Sequence, residues 1–316
     1  MNSKGKLTAI AIIGALTVGG IGIFTYNKIN EKTKVVASIK NEPTVVSPVH
    51  KEPNPTDIIP NDNIIYSAKD YAVPANEVAK MLEGKSTDNT KEVFLTFDDG
   101  PSQYTPEVLK ILKEKGVHAT FFVLGTQLEN SSTNREYLKQ EILDGNAIAN
   151  HSYSHDFKKL YPHNRVDVTT FMDEINRTND IMKSILGDDF NARVVRMPGG
   201  YMSRKYYHDE NLPELNSEFK KLHITSIDWD GETGDATGKK YTPQQLVNNA
   251  IKETKDDTHV ILLMHDSATK KTTVEALPEL IDYYKSHGYE FKVIENPTID
   301  SFNPKVEAPN TDIQSK

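Results

Sequence analysis

The sequence predicts an α/β fold: an incomplete barrel of seven parallel strands wrapped by helices, carried behind an N-terminal transmembrane helix and a flexible stalk. Three observations predict it. Apolar, β-prone runs alternate with helical patterns through most of the 316 residues, and such alternation builds a parallel sheet covered by helices. The ends of five of these runs gather Asp, His, Arg and the single Trp, and barrels of this class place their chemistry at the carboxyl ends of strands. Ahead of all this stands an uncharged stretch flanked by lysines.

That stretch comes first. Residues 1–6 carry Lys4 and Lys6, and Leu7 to Tyr26 then hold no charge. About 20 apolar residues span a bilayer as a helix, longer than the apolar core of a cleaved signal peptide. We expect a signal anchor at 7–26, residues 1–6 in the cytoplasm and the rest outside. Val35-Val36-Ala37 offers a small-residue cleavage site that would release a secreted form instead. Residues 27–63, ending in "KNEPTVVSPVHKEPNPTDIIPNDN", lack a period and are rich in Pro, Asn and charge, as stalks are. A flexible coil of that length spans roughly 30 to 37 Å and reaches on the order of 120 Å when taut. The domain then occupies 64–297, and a polar tail 298–316 is expected to be flexible.

Within the domain, "YAVPANEVAKMLEG" reads as a short entering helix. Strands are expected at 93–97, 119–124, 146–150, 193–196, 222–228, 259–264 and 290–294. Helices fall between them at "TPEVLKILKEKG", "NREYLKQEILDG", "TTFMDEINRTNDIMKSILG", "TPQQLVNNAIKET" and "TVEALPELIDYYKSHG". The net charge of −8 argues against nucleic acid as a partner, which calls for a basic face. With no cysteine, disulfides and thiol nucleophiles are excluded, and any metal must be held by His and carboxylate.

The strand ends carry the chemistry. "VFLTFDDGPS" runs into Asp98 and Asp99, two like charges whose repulsion a bound cation relieves, one carboxylate holding the ion and the other left as a base. "IANHSYSH" ends the third strand with His151 and His155 four apart, a spacing that on a helical turn brings both imidazoles to one side. Asp99, His151 and His155 together form a set of two histidines and one carboxylate with open positions for water and substrate. "VVRMPGG" supplies Arg196, placed to hold Asp98 ionised through charge-assisted hydrogen bonds, and Gly199, whose N–H is a candidate oxyanion donor. "ITSIDWDGETGD" offers Trp229 as a groove wall and three rivals, Asp228, Asp230 and Asp235, as the charge partner of a histidine. "HVILLMHDS" ends in His265, a candidate general acid if a carboxylate raises its pKa. Leu263, one strand period earlier, points the same way and lines a small apolar pocket.

In this order, "TFDDG", "HSYSH", "RMPGG", "IDWD" and "LLMHD" resemble the five motifs of the polysaccharide deacetylases of the NodB-homology group, carbohydrate esterase family 4, over about residues 90–296. The resemblance implies a distorted (β/α)7 barrel. It makes Asp98 the catalytic base, and Asp99, His151 and His155 the ligands of one divalent metal, foremost Zn, with Co, Mn or Ni as alternatives. It gives Arg196 the task of steadying Asp98, Asp228 that of tuning His265, and His265 that of protonating the leaving amine. Trp229 and Leu263 shape the acetyl pocket. The third motif departs from the commoner R-P-P-Y-G, with Met197 and Gly199 in place of Pro and Tyr, so the groove is expected to lack an aromatic wall. The implied activity is removal of N-acetyl groups from N-acetylglucosamine in peptidoglycan by a monomer; chitin oligomers, N-acetylmuramic acid and poly-N-acetylglucosamine are alternative substrates, and a weakly active wall-binding module is an alternative role.

Overall fold

Successive side chains of a strand face opposite ways, and here that period sorts the sheet residues into an inner and an outer layer. The computed structural model describes residues 53–302. Among them nine strands form parallel ladders: β1 (Ala72–Pro74), β2 (Glu92–Asp98), β3 (Thr120–Val123), β4 (Ala147–Asn150), β5 (Val194–Val195), β6 (Thr225–Ser226), β7 (Gly231–Glu232), β8 (His259–His265) and β9 (Glu290–Glu295). The helices are α1 (Ala75–Leu82), α2 (Thr105–Lys115), α3 (Gly125–Glu129), α4 (Ser132–Leu143), α5 (Phe157–Leu160), α6 (Val168–Leu186), α7 (Tyr201–Tyr206), α8 (Leu212–Lys221), α9 (Pro243–Thr254) and α10 (Lys271–Ser286).

The wall runs β7-β8-β2-β3-β4-β5-β6, and among the described residues no ladder joins β6 to β7. The barrel is therefore open at one seam. Strand β2 pairs with β8 along its whole length, from Glu92 opposite His259 to Asp98 opposite His265. It meets β9 at Glu92–Phe94 and β3 at Thr96–Asp98. The run expected as the seventh wall strand, 290–294, is thus β9, which pairs with β2 through its first half and carries β1 on its second. The seventh position belongs to β7, whose two residues are too short and polar to leave a hydrophobic run.

Inside the barrel, Phe94, Phe122, Ala149, Val194, Ile227, Ile261 and Ile294 pack with Ala75 and Val78 of α1. The alternate residues Val93, Leu95, Phe97, Phe121, Val123, Ile148, Val260, Leu262 and Met264 pack outward with apolar residues of α2, α4, α9 and α10. Each such Phe, Leu or Ile contributes about 1.5–3 kcal/mol over its exposed state. Because Phe94 and Ile261 face inward, so do Thr96 and Asp98 on β2, and Leu263 and His265 on β8. Burial thereby fixes the register that points the site residues into the mouth of the barrel.

The folded chain begins before the boundary expected for it. Ile58 bridges Ile65, Ile58 and Ile59 pack on the outer core, and buried Asn63 donates to the Ile294 carbonyl (3.0 Å) and accepts from the Asn296 N–H (2.7 Å). The boundary at 63 therefore falls inside folded chain; two isoleucines and one buried amide outweigh the Pro and Asn that read as linker. At the other end, Thr298 hydrogen-bonds Asn76 and a 3₁₀ turn covers Ile299–Phe302, so the expected tail starts too early. The expected transmembrane helix at 7–26, the earlier part of the stalk and the rest of the tail lie outside the described residues, within which no helix is long and apolar enough to cross a membrane.

Candidate active site

Asp98 is the last residue of β2 and is almost fully buried. A lone carboxylate there would cost several kcal/mol, and Arg196, just past β5 and itself buried, answers it. Its Nη1 donates to Asp98 Oδ1 and to Thr96 Oγ1, both at 2.8 Å. Its Nε donates to the Ile227 carbonyl and its Nη2 to that of Asp228, both at 3.0 Å. The guanidinium also lies 4.1 Å from the Phe122 ring centroid. One side chain thus ties β2 to β5 and to the chain after β6, and fixes which way Asp98 points.

Asp99 sits on a backbone bend beside its neighbour, and Asp98 Oδ2 and Asp99 Oδ1 each lie 3.6 Å from His151 Nε2. The φ of Asp99 is +72°, and Ser152 (+70°) and His155 (+54°) share that left-handed region. For residues other than glycine this costs on the order of 1–3 kcal/mol each and clusters at functional sites. Gly100 follows because nothing larger fits: a Cβ there would fall 2.3 Å from Asp266 Oδ1. Asp266 is buried, and burial pushes its carboxyl up to about 7, against a hydrogen bond from Thr105. His151 and His155 do not sit on a helical turn as their spacing suggested; they flank a loop, and its positive φ values bring the rings to centroids 5.0 Å apart.

The donor atoms fit a divalent cation. His151 Nε2 lies 3.6 Å from Asp99 Oδ1, and His155 Nε2 lies 3.7 Å from the same oxygen. All three lie within 4.8 Å of one another. An ion with ligands about 2.0–2.1 Å away in tetrahedral geometry holds them roughly 3.4 Å apart. His151 Nδ1 is 2.8 Å from the Arg196 carbonyl, which can only accept, so Nδ1 carries the proton and Nε2 presents a lone pair. Burial holds the His151 imidazole below its usual pKa, against the pull of Asp98 and Asp99, which keeps it neutral. Asp99 Oδ1 is buried yet has no hydrogen-bond partner among the described residues. An acceptor left so is what a cation would satisfy.

The loop between the histidines is held from behind by a residue the sequence reading passed over. Glu174, near the middle of α6, accepts from the Tyr153 N–H (3.1 Å), the Ser154 N–H (2.9 Å) and Ser154 Oγ (2.6 Å). Its signal was present: it falls on the buried stripe with Phe171, Ile175 and Thr178, where a carboxylate needs partners.

Across the mouth, His265 faces Asp98 on the neighbouring strand. Its carboxylate partner is Asp235, not Asp228. Asp235 Oδ1 lies 2.8 Å from His265 Nδ1, while Oδ2 accepts from the His265 N–H (3.0 Å) and Thr273 Oγ1 (2.8 Å). Burial by itself would lower the His265 pKa, but the bond and charge of Asp235 outweigh it and hold the imidazole above its usual range. Burial likewise works to raise Asp235, and His265, Thr273 and Lys270 overcome it, holding the carboxyl low. Asp228 instead accepts the N–H groups of Tyr201 (2.8 Å) and Met202 (2.7 Å), capping the start of α7. An acid at a helix N-terminus satisfies free donors and suits the dipole. Of the three rivals, Asp230 accepts from the Ile261 N–H (2.7 Å) and is pushed up to about 7 by burial.

The remaining expected residues line the rim. Leu263 is buried one strand period below His265. Trp229 packs on the barrel interior with its ring centroid 5.6 Å from the Arg196 guanidinium. It also borders a groove of about 820 Å³ with Tyr201, Phe219 and Phe302. Gly199 has φ +76°, and among the described residues its N–H meets no acceptor, so it is free to donate.

A profile of the family described as polysaccharide deacetylase matches residues 85–213. The chain is 31% identical over 226 residues to the bifunctional xylanase/deacetylase of Pseudobutyrivibrio xylanivorans, which uses 71% of this chain but only 33% of that protein's length. It is 26% identical over 287 residues, 90% of each chain, to the peptidoglycan-N-acetylglucosamine deacetylase of Bacillus cereus. Among solved structures, a Streptococcus mutans CE4 esterase matches with a TM-score of 0.68 at 32% identity, covering 77% of this chain and 100% of that one.

Proposed function

Because this chain belongs to the polysaccharide deacetylases of carbohydrate esterase family 4, which are hydrolases, we propose that it removes N-acetyl groups from N-acetylglucosamine residues of cell-wall peptidoglycan outside the membrane, to which residues 7–26 anchor it. The observation that carries the chemistry is the pairing of Asp98, pinned by Arg196, with a three-ligand cluster that has an orphaned oxygen. The sugar is argued from the relative that matches over 90% of this chain.

When bound by Asp99, His151 and His155, a divalent ion, foremost Zn, supplies Lewis acidity and makes water nucleophilic near neutral pH. The protein groups do the rest. Asp98 accepts a proton from the water that attacks the acetamide carbon. The Gly199 N–H donates to the oxygen on which negative charge develops. Asp235 engages His265 Nδ1, leaves Nε2 as the free nitrogen and favours the protonated ring, from which His265 delivers a proton to the departing nitrogen. The C–N bond breaks, giving acetate and a free amine.

The test is acetate release and product mass from peptidoglycan fragments and from chitin oligomers, using the zinc-loaded protein. Asp98→Asn is expected to keep the metal and to lose about 10²–10⁴-fold in kcat. Full activity in that variant removes Asp98 from the role of base, and no release from either glycan by the wild type favours a wall-binding module.

A further inference from the structure

The third motif has glycine at position 199, where the resemblance leads one to expect tyrosine, yet the structure does not leave that space empty. A Cβ built on Gly199 would lie 3.0 Å from both Cε1 and Cζ of Phe157, the first residue of α5. The ring therefore stands where a side chain at 199 would begin. It is held there from two sides. Its centroid is 5.3 Å from that of His155, edge-on at 68°, and 5.5 Å from that of Tyr161, edge-on at 63°. The Tyr161 hydroxyl donates to the Pro198 carbonyl (3.0 Å), which ties the loop bearing Gly199 to α5.

Held so, Phe157 still keeps 45% of its residue surface exposed. Lying beside a metal-ligand candidate, the exposed ring is within reach of a ligand held at the cluster. A pyranose ring presents a patch of C–H groups that an aromatic ring matches, with polar edges left to water.

Resting on the deacetylase reading above, we propose that Phe157 is the aromatic platform of the groove, stacking on a pyranose ring of the acetylated glycan and restoring from α5 the wall that Gly199 gives up. Phe157 is in this role a specificity-determining residue. A larger residue at 199 would be strained at a φ of +76° and would need the ring to give by a few tenths of an ångström.

The experiment compares wild type, Phe157→Ala, Phe157→Leu and Phe157→Tyr, all loaded with zinc. It measures kcat and KM for acetate release from peptidoglycan fragments and longer chitin oligomers, and zinc affinity by competition with a chromophoric chelator. The Ala and Leu variants are expected to raise KM about tenfold with little change in kcat, the Tyr variant to recover wild-type KM, and all to hold zinc equally. A Leu variant that matches wild type overturns the proposal. So does a rise in KM that merely tracks weaker zinc binding, which would make the ring a prop for His155. Wild type without activity on either glycan brings down the deacetylase reading and this proposal together; active wild type with indifferent variants brings down this proposal alone.

Discussion

Replacing Arg196 with methionine isolates what the buried guanidinium does. Methionine keeps an unbranched apolar stem of similar reach, so packing against Phe122 is largely preserved. Four hydrogen bonds disappear, including the 2.8 Å bond to Asp98 Oδ1, and the carbonyls of Ile227 and Asp228 lose their donors. Both charged partners are buried, and breaking such a pair from one side costs about 3–5 kcal/mol, because the remaining charge is uncompensated. Against a total stability of about 5–15 kcal/mol the variant stays folded but is visibly weakened, with an earlier urea midpoint. Adding Asp98→Asn removes the stranded charge, so the double variant should recover about 2 kcal/mol relative to the sum of the single changes. In the single Arg196→Met variant Asp98 also loses its aim, and a displacement on the order of 1 Å costs about 10²-fold in rate. Urea denaturation with a double-mutant cycle, alongside acetate release, reads both effects. A stability loss below about 1 kcal/mol, or strict additivity of the two changes, would refute the reasoning that Arg196 pairs with Asp98 and orients it.

Two further perturbations separate residues that look alike in sequence. His265 must carry a proton to act as acid; it does so below its raised pKa and loses it as pH rises through that value. Asp235→Asn removes the charge that raises it, so the alkaline limb of kcat/KM should move to lower pH, whereas Asp228→Ala should leave that limb in place and cost about 0.5–2 kcal/mol of stability through the α7 cap. The opposite assignment of the limb would return the partner role to Asp228. Glu174→Ala frees the loop between the two candidate metal-ligand histidines and is expected to weaken zinc binding about 10–100-fold, with Glu174→Gln between the two; equal affinity in a competition titration would show that the loop holds its shape without it.

What the sequence reveals follows from how each residue is buried. Strands β2 and β8 are apolar on both faces, because interior and helix layers both cover them, so they read as unbroken runs ending in charge, and Asp98, Asp99 and His265 stand out. Strand β7 is two residues of Gly and Glu recruited by pairing with Leu262 and Leu263, and pairing supplied from outside leaves no local trace. The same holds for Asp235. Nothing in "DWDGETGD" ranks one acid over another, since the choice is made by where the chain after β7 returns to β8, and Asp228 is claimed by a helix that begins only because Gly199 and Gly200 turn the chain. The two adjacent carboxylates make the complementary case. Their repulsion is a local fact, readable at once, and residues distant in sequence answer it: Asp99, in the left-handed region, lies against both histidines, while Asp98 is bonded by Arg196 and also lies 3.6 Å from His151 Nε2. Chemistry that demands a neighbour is visible in sequence as an unmet need; which neighbour meets it is decided by topology, and that is why the Asp98–Asp99 pair stands out on one strand whereas the choice of Asp235 for His265 and the approach of Phe157 to Gly199 emerge only in the fold.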